Sequence, residues 1–186
     1  GSLILTGSSF GYGTKTVLSE LIWRQFYHTR IDNDSIIRVA KMLVASKTKL
    51  KILHINCANI RDDGAIELGT FLQSAEYLED LYIQKFNQSP NVCKLIKSLV
   101  HSKTLTKLKL YDGIRCDFHR LGKLLRVNNS LRKLEISFTS IGDEDVCKLM
   151  NALMINTSLQ KLCICGYDIK LNSVLQLAEV LLTNIT

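Results

Sequence analysis

The sequence predicts an α/β solenoid, with short parallel strands on one side and helices on the other, stacked unit upon unit. Three observations carry this expectation. A six-residue pattern, LxxLx[LI], begins at Leu50, Leu78, Leu105, Leu131 and Leu159, so its starts lie 28, 27, 26 and 28 residues apart. After each copy comes a polar turn and then apolar residues at helical spacing. The composition also suits stacked units: 46% of the 186 residues are hydrophobic, leucine alone supplies 30, and proline occurs once. That apolar content excludes a disordered or collagen-like chain, and the near absence of proline argues against a loop-built sandwich.

The elements follow in order within each unit. With the first Leu as position 1, the strand places positions 4 and 6 inward and positions 5 and 7 outward, because strand side chains alternate. A weaker copy begins at Leu21, 29 residues before Leu50, with Arg24 in an apolar slot. A partial irregular copy over residues 1–20 has Leu3 and Leu5 in strand slots. Position 11 reads Ile31, Ile60, Ile141 and Ile169. The next turns, Asp32-Asn33-Asp34, Arg61-Asp62-Asp63-Gly64 and Gly142-Asp143-Glu144-Asp145, supply carboxylates for helix N-caps. Pro90 fills the matching slot of its unit, where a first-turn proline is tolerated.

The helix stripe comes next. Position 16 holds Ile36, Ala65, Cys93, Val146 and Val174; position 19 holds Val39, Leu68, Ile96, Leu149 and Leu177; position 23 holds Leu43, Leu72, Val100, Leu153 and Leu181. Spacings of three and four put them on one helical face. The helices exit at Asn128-Asn-Ser130 and Asn156-Thr-Ser158, and Asn184-Ile-Thr186 falls in the same slot. Asparagine tolerates the left-handed conformation that ends helices. With Asn33 and Asn87 these asparagines head N-x-S/T triplets, and their shared slot favours a structural role over glycosylation.

The repeated unit resembles the leucine-rich repeat, specifically the ribonuclease-inhibitor-like subtype with its 28-residue unit. The match is strong over residues 21–186 and weak over 3–20. It implies a right-handed horseshoe with a concave parallel sheet and convex helices, one domain over residues 1–186, cut from a longer array. The family's asparagine at position 9 is replaced by Thr29, Ala58, Phe86, Gly113, Thr139 and Tyr167, so irregular turns are expected there. The resemblance implies protein recognition. In animals this subtype commonly ends nucleotide-binding innate immune (NLR-type) receptors, where it senses ligand and restrains activation. A regulatory scaffold for a GTPase or cytoskeletal protein, or a microbial effector capturing a host protein, is the alternative. Missing capping repeats would leave apolar ends through which the chain self-associates.

The expected binding surface is the concave ladder. It comprises Tyr27, His54, Asn56, Tyr82, Gln84, Lys85, Lys109, Tyr111, Asp112, Glu135, Ser137 and Phe138, with Tyr82, Tyr111 and Phe138 on consecutive strands. Aromatic side chains amid mixed charge suit a protein hot spot.

A second feature is charge. The formal net charge is +7, yet residues 94–133 carry eleven Lys and Arg against Asp112 and Asp117. This band includes Lys94, Lys97, Lys103, Lys107, Arg120, Lys123, Arg126, Arg132 and Lys133. Stacking would set it side by side as one patch for an acidic partner. Nucleic acid is an alternative partner there, although no RNA- or DNA-binding motif is present.

Catalysis and cofactors are not expected. His28, His54, His101 and His119 are scattered, and no carboxylate is expected near His54 and Cys57 to orient an imidazole. The glycines of Gly7 to Gly13 precede Lys15, but Thr14 separates them from it, against the phosphate-loop spacing. The six cysteines (Cys57, Cys93, Cys116, Cys147, Cys163 and Cys165) lack zinc-ligand spacing, and scattered thiols favour the cytosol. The C-x-C pair would point to one face of a strand without bonding. No apolar run reaches the length of a membrane span.

Overall fold

The structure, a computed structural model, describes residues 2–6, 32–47, 49–56, 60–84, 91–111, 118–137, 141–166 and 169–183. The chain opens with β1 (Ser2–Thr6). It then alternates through α1 (Asn33–Ala45), β2 (Ile52–Asn56), α2 (Asp62–Ser74), β3 (Asp80–Gln84), α3 (Asn91–Leu99), β4 (Lys107–Tyr111), α4 (Phe118–Val127), β5 (Lys133–Ser137), α5 (Asp143–Leu153), β6 (Lys161–Cys165) and α6 (Leu171–Thr183). The strands form one parallel sheet in chain order.

Register follows the leucine pattern. Leu53, Leu81, Leu108, Leu134 and Leu162 stand side by side, as do Ile55, Ile83, Leu110, Ile136 and Ile164. These are positions 4 and 6. On β2 to β5 they are fully buried in one core with the helix stripe. At the start of each strand, one backbone carbonyl accepts two N–H groups of the next unit: Lys51 from Glu79 and Asp80, Glu79 from Thr106 and Lys107, Thr106 from Arg132 and Lys133, Arg132 from Gln160 and Lys161.

The first described rung is Ser2–Thr6, which the pattern gave only as a partial irregular copy; it lies beside β2, with Leu3 opposite Leu53 and Leu5 opposite Ile55. The copy expected from Leu21, with Arg24, lies outside the described residues. Tyr27 lies outside the described residues, as do the position 9 residues Thr29, Ala58, Phe86, Gly113, Thr139 and Tyr167.

The helices begin as the turns predict, with a shift of roles. Asp32 caps α1 by accepting from the Ser35 N–H at 2.8 Å. In α2 and α5 the caps are Arg61 and Gly142, and the carboxylates sit in the first turn. There they tie neighbouring units. Asp63 accepts from the buried Asn33 amide at 2.8 Å, and Asn33 accepts from the Arg61 N–H at 2.8 Å. Asp143 accepts from the Lys170 N–H and the Ser173 hydroxyl at 2.8 and 2.6 Å. These bonds hold both carboxyl groups below the usual carboxylate range, the Asn33 amide being the main cause at Asp63 and the Ser173 hydroxyl at Asp143. A Cβ on Gly64 would collide with the Asn33 amide, so the tie requires glycine there.

The stripe residues whose side chains are described on α1, α2, α3 and α5 pack into the core, Val39 partly, while the Cys93 side chain lies outside the described ones. In the 26-residue unit α4 uses Phe118, Leu121 and Leu125, two positions earlier, which matches its shorter loop. On α6 the pattern departs. Val174, expected in the core, is 52% exposed, and Leu171, Leu175 and Leu182 are exposed beside it. The equivalent residues of α5 are covered by α6, whereas no described element packs on the far side of α6.

The helix exits carry a second tie. The Asn128 amide donates to the Leu99 and Ser102 carbonyls at 3.2 and 2.9 Å, and its oxygen accepts from the Ser130 and Leu131 N–H groups at 3.0 and 2.8 Å. Asn156 repeats this one unit later, donating to the Leu125 and Asn128 carbonyls and accepting from Ser158 and Leu159. The Ser130 and Ser158 hydroxyls donate to the carbonyls of Ser102 and Asn128. Neither asparagine is left-handed: among the described non-glycine residues only Lys47 has positive φ. Asparagine is therefore used for its amide, not for backbone tolerance. Asn33, Asn128 and Asn156 are buried, while Asn87 and Asn184 lie outside the described residues.

Two outcomes are expected. Asn128→Ala takes the acceptor from the Ser130 and Leu131 N–H groups in a buried corner and one donor from each of two carbonyls, and should cost about 2–3 kcal/mol, read from the urea midpoint. The exposed apolar face of α6 should drive self-association of the 186-residue chain. Replacing Leu171 and Val174 with Lys should lower the sedimentation coefficient measured at high concentration.

Candidate functional site

Alternation leaves positions 3, 5 and 7 on the face of the sheet turned away from the helices, the side expected to be concave. From β2 to β6 that open face reads Ile52, His54, Asn56; Asp80, Tyr82, Gln84; Lys107, Lys109, Tyr111; Lys133, Glu135, Ser137; and Lys161, Cys163, Cys165. The expected surface is thus assembled for His54, Asn56, Tyr82, Gln84, Lys109, Tyr111, Glu135 and Ser137. Lys85, Asp112 and Phe138 lie outside the described residues.

The aromatic residues form a row. The His54 and Tyr82 rings are 5.1 Å apart, and the Tyr82 and Tyr111 rings 5.3 Å apart, tilted at about 50°, a separation at which aromatic pairs attract. Their polar edges are tied down. The Tyr82 hydroxyl donates to Gln84 Oε1 at 2.8 Å, and Asn56 Nδ2 reaches the same oxygen at 3.5 Å. Burial pushes the His54 imidazole below its ordinary value, against the opposing charge of Asp80.

Glu135 anchors the other end. Lys133 Nζ lies 2.5 Å from one oxygen; Tyr111 Oη donates to the other at 2.5 Å, and Lys109 Nζ lies 3.5 Å from it. The Lys133 ammonium, then the Tyr111 hydroxyl, lower its pKa to about 2. The same carboxylate pushes the Tyr111 phenol well above its ordinary value. Tyr111 is thus both a ring in the aromatic row and a donor in the charged cluster, which fixes its orientation.

Position 3 supplies residues that the sequence reading missed, although its parity matches positions 5 and 7. Asp80 is the important one. Its Oδ1 is buried and accepts no hydrogen bond among the described residues, while its Oδ2 lies 3.7 Å from Lys107 Nζ. A buried acceptor without a donor costs about 1–3 kcal/mol. Asp80 also corrects the expectation that no carboxylate lies near His54, since its charge acts on the imidazole. Cys57 lies outside the described residues. Among the described residues no three His, Cys, Asp or Glu converge to hold a metal ion.

The basic band is not one patch. Lys94, Lys97, Arg120, Lys123 and Arg126 belong to α3 and α4, while Lys107, Lys109 and Lys133 stand on the open face of the sheet. The leucine core lies between the two sets. Lys103 sits in the turn after α3, Lys94 pairs with Asp62 at 2.8 Å, and Arg132 Nη1 donates to the Ser158 carbonyl at 2.8 Å. Neighbours in sequence are split because strand and helix face opposite sides of each unit. On the sheet side Lys161 extends the row Lys107, Lys133 along position 3.

Glu135 gives a pH test. Its folded pKa is depressed from 4.5 to about 2, so its contribution is present above pH 4.5 and is lost as pH falls through about 2. Urea midpoints of the chain and of Glu135→Gln should differ at pH 6 and converge towards pH 2.

Comparison with known proteins agrees with this geometry. Residues 46–69 and 127–150 match the family described as Leucine Rich repeat. No curated protein sequence matches the chain. Among solved structures, the tropomodulin C-terminal domain from Caenorhabditis elegans is similar with a TM-score of 0.59 at 20% identity, covering 83% of this chain and 93% of that one. Leiomodin-1 actin-binding site 2 is similar with a TM-score of 0.53 at 17% identity, covering 68% and 75%. No helix among the described residues is long and apolar enough to cross a membrane. The matched repeats, the register and these neighbours together identify the fold as an α/β leucine-rich-repeat solenoid.

Proposed function

We propose that the chain is a protein-recognition module that binds its partner across the open face of β2 to β4. The observation that carries this is the row of His54, Tyr82 and Tyr111 rings, in contact across three neighbouring strands of the open face. Rigid aromatic side chains lose little entropy on binding and dominate hot spots. A partner that covers the rings would bury them together. The β4 lysines, Lys107 and Lys109, favour acidic groups at the other end of the footprint.

Of the finer readings, we favour the cytoskeletal scaffold, with actin as the partner to test first. Its support is the likeness to a leiomodin fragment described as an actin-binding site. The sensing and autoinhibitory role of an NLR-type receptor rests on the repeat resemblance, as do GTPase regulation and capture of a host protein. No observation on this chain favours them over the cytoskeletal reading. A cytoplasmic location suits it, and Cys147, Cys163 and Cys165 are free thiols.

Binding to monomeric and filamentous actin, by fluorescence anisotropy and co-sedimentation, tests the reading. Tyr82→Ala with Tyr111→Ala should weaken binding by roughly thirtyfold, as expected for a hot spot worth about 2 kcal/mol. Unchanged affinity would remove the open face from the interaction, and absence of binding to either actin form would remove the actin assignment.

A further inference from the structure

We propose that Cys163 and Cys165 form a two-thiolate site for a soft monovalent cation, copper(I). Both side chains are exposed on the open face of β6, both are free, and their sulfurs lie 4.0 Å apart. Two sulfur–metal bonds of about 2.3 Å can span at most about 4.6 Å, so one ion can bridge the pair without moving the backbone. It would sit in a bent two-sulfur site whose third position faces solvent.

The same geometry excludes the competing fates of the pair. A strand advances about 3.3 Å per residue, which keeps the two Cβ atoms about 6.6 Å apart, against the ~3.8 Å a disulfide needs. Bending the strand to close that gap would disturb its pairing to β5, where Cys163 stands opposite Glu135 and Cys165 opposite Ser137. A structural zinc site needs four ligands, and among the described residues no third His, Cys, Asp or Glu joins the two thiols. Calcium and magnesium take oxygen ligands. Thiolate pairs select soft ions, copper(I) among them.

Charge also fits. Binding converts one copper(I) and two thiols into a bis-thiolate complex of charge −1 and releases two protons. Lys161 lies on the same face, two residues before Cys163. Glu135 opposite Cys163 would repel the complex, but its oxygens are already engaged by Lys133, Lys109 and Tyr111. The site lies at the opposite end of the open face from the aromatic row and does not depend on its partner.

The test is an anaerobic copper(I) titration of the whole chain against a chromophoric chelator, run beside Cys163→Ser and Cys165→Ser. The chain should hold one copper(I) with sulfur scatterers at the copper X-ray edge. Each single variant should bind roughly a hundredfold more weakly, having lost its chelate partner, with an unchanged circular dichroism spectrum. Alkylation followed by mass spectrometry needs no variant: copper(I) should protect Cys163 and Cys165. Failure of the chain to compete with the chelator, equal affinity in either variant, or protection confined to other cysteines would each overturn the proposal.

Discussion

The common register of six parallel strands is the constraint on which the molecule depends. No unit can bury its own apolar stripe, so each borrows a wall from its neighbour. That works only if Leu53, Leu81, Leu108 and Leu134 stand in one line and Ile55, Ile83, Leu110 and Ile136 in the next. Because side chains alternate, a slip of one residue would turn the leucines outward and the tyrosines inward. Core and open face are two readings of the same register.

Polar groups guard that register at the corners. Where a helix ends, the chain must reverse into the next strand with carbonyls that no helix satisfies. Asn128 and Asn156 close those carbonyls and hold the N–H groups of the following strand with a single amide. The equivalent slot two units before Asn128 holds Ala75, whose side chain has nothing to donate and whose carbonyl accepts from Thr104. The first units are tied at the other corner, through Asn33 and Asp63. Side-chain ties thus occur at helix starts between α1 and α2 and between α5 and α6, and at helix exits from α3 onward.

Much of this was legible in the sequence because solenoid contacts repeat. A leucine at position 4 meets only its counterparts, so spacing alone predicts the neighbour. Legibility failed where a unit departs from the period. The strand beside β2 is β1, which the pattern gave only as a partial irregular copy. Val174 matched the stripe, but burial depends on the next layer, which no pattern within α6 can report. The open face was legible by parity in His54, Tyr82 and Tyr111. Asp80 was not singled out, because an aspartate in a strand reads as an ordinary solvated charge until its neighbours are known to cover it. The basic band misled for a related reason: adjacent sequence positions lie on opposite sides of the core.

The spacing of the aromatic row also has a consequence for the shape of the partner proposed for it. Its rings are separated by 5.1 and 5.3 Å across the strands. A helix laid along that row advances about 5.4 Å per turn, so it meets each ring with one side chain per turn. An extended segment advances about 6.6 Å between residues on one face and drifts out of step by the third ring. The pitch of the sheet itself thus discriminates between the backbone conformations of a ligand, before any side chain has been compared.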